Sequence, residues 1–268
     1  MVARCFRVGF LIVAIGVLAA CAETPQVSRP PVKLHLAEAA DQAAVLDRVI
    51  AAYTADHDWV SASATSTTPQ DAVTRVRNGQ LDAAIMHSEP SNKDSVWISG
   101  LAHDPIAIIV HPTNPIGDVT LAQLSDLFQG RTFDWTPFGG TGEVIPVSRE
   151  AEAYSRQIFE ERVMQTRAVT RNAVLKPSAR DVIDFVANTP GAIGYAPLSQ
   201  IDKRVKAISI EGVAPSPDSA ASGKYVLSSP LYVIAKGEPQ GDLREFMAWL
   251  LGNPGQTLLS QAGLGRAR

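Results

Sequence analysis

The sequence predicts an α/β protein of two lobes, each a mostly parallel sheet flanked by helices, with strands that cross from one lobe to the other. Three observations carry that expectation. Strand-like segments alternate with segments of helical period along the whole chain. Helix starts are marked by hydroxyl caps, as at Thr68, Thr120 and Ser178. Two runs, 106–111 and 231–235, are apolar almost without interruption, the mark of strands covered on both faces. They bracket the middle of the chain as a crossing and a return would.

At the start, Arg4 and Arg7 precede an apolar stretch over 8–20, which Leu18-Ala19-Ala20-Cys21 closes with small residues. This reads as an export signal over 1–20, too short and wrongly flanked for a membrane span. Its ending resembles the lipobox of bacterial lipoproteins, in which the cysteine is lipidated and becomes the first mature residue; Cys21 is then the anchor. Cleavage of an ordinary signal at Ala20-Cys21-Ala22 also fits. In such lipoproteins an aspartate after the cysteine often signals retention in the inner membrane. Ala22 stands there instead, a slight preference for the outer membrane. Residues 21–31 are polar and Pro-rich and read as a tether.

Cys5 and Cys21 are the only cysteines, so processing leaves no thiol pair for a disulfide. Losing Arg4 and Arg7 takes the formal charge from -3 to -5. That is no field for nucleic acid or an anionic membrane, so any bound anion must be caught by local hydrogen bonds.

Next come a short strand at 34–36 and a helix carrying Val45, Leu46, Val49, Ile50 and Tyr53 at helical spacing. The hydroxyl-rich segment 61–68 leads into a helix with Thr68 as N-cap, Pro69 at its first position and Asp71 at its third, ending at Asn78-Gly79. Residues 82–87 form a buried strand. After the run at 106–111, Thr120 caps a helix with Leu124, Leu127 and Phe128 inward and Gly130 as its stop. A strand over 143–148, a helix over 151–164, a helix opened by Ser178, and strands near 192–195 and 205–210 follow. The Pro-, Ser- and Gly-rich 215–223 is expected to be a mobile surface loop. Helices over 243–251 and 254–264 close the chain. The lobes expected from this order are 32–107 with 231–268, and 108–230.

Candidate chemistry is sparse. His35, His57, His87, His103 and His111 show no i,i+2 or i,i+4 pair and no thiol partner, so no metal site or cofactor is expected. No nucleophile elbow or phosphate-binding Gly-Lys loop is present, and Glu160-Glu161 face different sides of a helix, so no enzyme is expected. An arginine at the end of a strand and before a helix N-terminus, Arg149, is an anion site in outline.

The chain resembles the periplasmic phosphate-binding proteins of ATP-driven phosphate importers. The similar stretches are Ile106-Ala107-Ile108-Ile109-Val110-His111-Pro112 with Asn114-Pro115, then Leu124, Leu127, Phe128, Gly130, Trp135 and Gly139-Gly140, then Val147-Ser148-Arg149-Glu150. They continue with Thr189-Pro190-Gly191-Ala192-Ile193-Gly194-Tyr195, Pro230-Leu231-Tyr232-Val233 and Pro254-Gly255-Gln256. The resemblance implies the two-lobed periplasmic-binding-protein fold, a ligand between the lobes, and hinge closure. In the family, Ser-Arg-Glu and Ser-Gly-Thr hold the anion. Here Arg149 matches the first motif, while Ala153, Tyr154 and Ser155 occupy the second. The family's first-lobe loop of Gly and Ser/Thr is Ala37-Glu38-Ala39-Ala40-Asp41.

The implied function is a lipid-anchored solute-binding protein, monomeric, that binds phosphate or a related small oxyanion for an ABC permease. Arg149 is the expected anchor, with Ser155, Ser88, Thr67 and Thr68 as donors. The alternative is the same fold without a working phosphate site, serving as an envelope interaction or sensory lipoprotein or as a receptor for another small ligand.

Overall fold

The structure is a computed structural model that describes residues 29–39, 41–91 and 95–267. The expected export signal over 1–20 and Cys21 lie outside the described residues. From Pro31 onward the chain forms one compact unit.

The chain begins with β1 (Val32–Ala39), α1 (Ala43–Ala55), β2 (Val60–Ser66), α2 (Pro69–Arg77) and β3 (Ala83–Met86). β4 (Trp97–Val110) follows, then β5 (Asp118–Val119), α3 (Leu121–Gln129), β6 (Ile145–Arg149) and α4 (Tyr154–Phe159), which runs into a π-turn at Glu160–Met164. The rest is β7 (Val174–Lys176), α5 (Ala179–Ala187), β8 (Ala192–Pro197), β9 (Lys206–Ile210), α6 (Pro217–Ala221), β10 (Ser228–Ala235), α7 (Gly241–Leu251), α8 (Asn253–Gln261) and β11 (Gly265–Arg266). None of the described helices is long and apolar enough to cross a membrane.

The main path of strands is β2-β1-β3-β10-β4-β8-β6-β7. Pairing is parallel within β2-β1-β3 and β8-β6-β7, and antiparallel wherever β4 or β10 takes part. β4 is the pivot. It pairs with β10 as far as Pro105, then with β8 and β9 from Ile106 onward. One core gathers Leu34, Leu46, Tyr53, Leu101, Leu231 and Phe246, and another gathers Ile108, Leu124, Phe128, Trp135, Phe159 and Tyr195. The mixed α/β architecture read from the alternation of elements is thus observed, with the two apolar runs as its antiparallel members.

The local caps form as the sequence indicates. Thr68 accepts from the Asp71 N–H, Ser178 from the Asp181 N–H, and Thr120 makes a capping box with Gln123. One unassigned stretch gains a structure, and two expectations need correction. The hydroxyl-rich stretch is strand β2, because Ala62 and Ala64 alternate with exposed Ser61, Ser63 and Thr65 alongside β1. The helix expected from 151 begins at Tyr154, since 150–153 close a turn through the Ala153 N–H to the Glu150 carbonyl at 3.1 Å. Residues 215–223 are not an open loop. They hold α6, with a Ser216–Ser219 capping box, and Ala220 is buried over Gly265, where a Cβ would meet the Pro217 carbonyl oxygen at 2.7 Å.

Candidate functional site

The pivot of β4 carries a buried acid. Asp104 is fully buried, two residues before the strand changes partners. Its Oδ2 accepts from Gln42 Nε2 at 2.5 Å and lies 3.0 Å from His87 Nε2. Burial drives the Asp104 carboxyl up to about 7, with the Gln42 amide opposing and the charge of Asp41 assisting. Burial also drives His87 down to about 3. Both shifts favour the uncharged forms, so the two groups meet through a hydrogen bond rather than as separated charges.

Around this pair the end of β1 turns into α1. Asp41 adopts φ 53°, a left-handed conformation that aspartate tolerates, and Gln42 stands at the N-cap position of α1 without a side-chain cap bond. The carboxylate of Glu38, 4% exposed, accepts the Gln42 N–H at 3.0 Å and the hydroxyl of Ser66. Ser66 stands directly opposite Glu38 in the parallel β1–β2 register.

From the other core, β6 delivers Ser148 and Arg149. The Arg149 N–H donates to the Tyr195 hydroxyl at 3.2 Å, and that hydroxyl is 2.6 Å from Ser148 Oγ. Arg156, held by Glu160 at 2.6 Å, donates to Ser148 and to the Arg149 carbonyl. With its backbone so fixed, Arg149 extends a guanidinium that is 6% exposed toward α1. Nη2 donates to the Pro177 carbonyl at 3.1 Å and lies 3.5 Å from Asp41 Oδ2. Gln200 Nε2 to the Asp41 carbonyl, at 2.9 Å, and Ser199 Oγ to Gln42 Oε1, at 3.2 Å, join the same two regions. Tyr154, first residue of α4, packs edge-on against His87.

Several buried polar atoms of this cluster have no hydrogen-bond partner among the described residues. They are Nε and Nη1 of Arg149, Oγ of Ser155, Oη of Tyr154, Nδ1 of His87 and Oδ1 of Asp104. Buried groups are nearly always bonded, so these atoms are available to polar partners from outside the chain. The arginine and serine donate, and the aspartate oxygen accepts.

Of the residues expected from sequence, Arg149 and Ser155 belong to this cluster. Thr67 and Thr68 serve α2 instead: Thr67 Oγ1 donates to Asp71 Oδ2 at 2.5 Å and Thr68 is the N-cap. Ser66 is the hydroxyl of that stretch that reaches the buried Glu38. Ser88 is exposed and lines a groove with Thr74, Arg77 and Glu89. Sequence reasoning missed Gln42 and Asp104. The available signal was a carboxylate two residues before an apolar run covered on both faces.

A family model described as a PBP superfamily domain matches residues 25–254 of the chain. The phosphate-binding protein PstS of Bacillus subtilis is 28% identical over 185 residues, 66% of this chain and 61% of that protein. PstS of Pseudomonas aeruginosa is 26% identical over 186 residues, 61% of this chain and 58% of that one. The chain therefore matches less than two thirds of the length of these relatives. Among solved structures, a putative phosphate ABC transporter substrate-binding protein with bound phosphate from Clostridium perfringens superposes with a TM-score of 0.76 at 22% identity, over 88% of this chain and 100% of that one. An ABC-type phosphate transport receptor from Vibrio cholerae gives 0.70 at 23% identity, over 87% and 99%. At such identities the superpositions speak for the fold.

Proposed function

The chain belongs to the PBP superfamily, and from that membership we propose that it is an extracytoplasmic solute-binding protein that holds phosphate or a related small oxyanion between its lobes for an ABC-type permease. The observation that carries this reading is the buried guanidinium of Arg149, with Nε and Nη1 unpartnered, together with the unpartnered hydroxyl of Ser155. Guanidinium N–H groups and a hydroxyl are donors that match the acceptors of an oxyanion. Each charge-assisted bond contributes about 1.5–3 kcal/mol, enough in sum for useful affinity. Phosphate binding in the names of the similar proteins supports the choice of ligand and favours transport over an envelope adaptor role. The lobes are 32–107 with 231–268 and 108–230, β4 and β10 being the crossings. Cys21 is the lipid anchor of a monomer, with the outer membrane preferred, and the protein binds rather than catalyses.

Isothermal titration of the purified protein with inorganic phosphate tests the reading. Saturable binding that Arg149→Ala abolishes is expected. Absence of binding at about millimolar phosphate, weaker than about 4 kcal/mol of binding free energy, overturns it, as does unchanged affinity in Arg149→Ala.

A further inference from the structure

A second anion-binding arrangement adjoins Asp41, the partner of Arg149, and a residue of the protein already fills it. The N-terminus of α1, a 13-residue helix, has no side-chain cap from Gln42. Its Gln42 N–H points instead at Glu38 Oε2, and the Ser66 hydroxyl completes the pair of donors on the same carboxylate. A backbone N–H at a helix N-terminus together with a hydroxyl is what an incoming oxyanion would use. Asp41, between Glu38 and the helix, reaches Arg149 at 3.5 Å, so this arrangement and the unpartnered Nε and Nη1 of Arg149 belong to one cluster. The nearby charges are unbalanced. Glu38 and Asp41 stand against Arg149, while Arg156 is paired with Glu160.

We propose that Glu38 is a specificity-determining residue: its carboxylate acts as an internal anion on the Gln42 N–H and Ser66 hydroxyl, confines the guest to Arg149 and Ser155, and sets the preference for a singly charged anion. This rests on the oxyanion reading of the cleft. A second charge on the guest adds repulsion from the Glu38 and Asp41 carboxylates. Were Glu38 only a helix cap, its removal would lower stability and leave affinity unchanged. As an internal anion its removal tightens binding, because donors are released and a like charge is lost.

The experiment is calorimetry at one fixed pH on wild type, Glu38→Ser, Glu38→Gln and Arg149→Ala, with inorganic phosphate and with sulfate, a dianion, as probes. Melting temperatures are recorded for each variant. Glu38→Ser is expected to bind phosphate at least tenfold more tightly than wild type and to gain at least as much for sulfate. Glu38→Gln, which removes the charge and keeps the shape, moves in the same direction by a smaller factor and carries the test if the serine variant does not fold. Arg149-dependent phosphate binding in wild type with no gain in the Glu38 variants overturns the role of Glu38 and leaves the oxyanion reading standing. No binding of either probe in wild type or variants overturns the oxyanion reading, and the role of Glu38 with it.

Discussion

Asp104 and His87 face each other where neither charge is solvated, and the two buried groups oppose one another in how stability depends on pH. Asp104 is raised from 3.8 to about 7, so its contribution is full at low pH and is lost as pH rises between those values. His87 is lowered from 6.5 to about 3, so its contribution is present above 6.5 and is lost as pH falls. Between about 4 and 6.5 each slope is ~1.4 kcal/mol per pH unit with opposite sign, and the pair leaves the wild type nearly flat. Asp104→Asn exposes the histidine slope, and its stability should fall as pH drops through that range. His87→Gln exposes the aspartate slope, and its stability should fall as pH rises from about 4 to 7. Denaturant unfolding of the three proteins at several pH values checks this. Three parallel pH profiles would refute it.

At the level of elements, the residues behind the family resemblance are packing devices. Trp135 is 1% exposed and its Nε1 donates to the Gly191 carbonyl at 3.0 Å. Gly191 admits no side chain, since a Cβ would stand 2.3 Å from the Glu143 carbonyl oxygen, a backbone atom that cannot turn aside. Gly191→Ala should destabilise by about 2 kcal/mol or more, read as a lower denaturation midpoint. Thr120→Ala removes one side of the α3 capping box and should cost about 1 kcal/mol with no change in anion affinity. These caps were legible in the sequence because donor and acceptor lie three residues apart. The start of α4 was not. No side chain caps it at Ala153, and Arg156 orders the turn by reaching back to Ser148 and Arg149. The helical character of 217–221 was hidden for a related reason: its composition suits a loop, while burial of Ala220 and the Tyr225 hydroxyl bond to the Ile106 carbonyl depend on β4 and β11.

For the whole molecule, the antiparallel pair β4 and β10 links the two cores, and the contacts of Asp41 and Gln42 with Arg149, Gln200 and Ser199 join the regions on either side. On the solute-binding reading these contacts belong to a closed cleft. Phosphate should then contract the radius of gyration of wild type in small-angle scattering, and leave Arg149→Ala unchanged. An identical scattering curve with and without saturating phosphate would rule out hinge closure.

Local sequence pattern sufficed for the α/β class, the two long apolar strands, the helix caps, and the expectation of Arg149 and Ser155 as ligands, because periodicity, capping and strand–helix junctions act over a few residues. Tertiary structure decided the surroundings of that pair. Glu38 meets Ser66 across a strand register, and Gln42 meets Asp104 from 62 residues away. Such meetings depend on which strands lie side by side and in what alignment. A shift of one residue turns every side chain to the other face, so local sequence pattern could not specify these partners of the buried carboxylates.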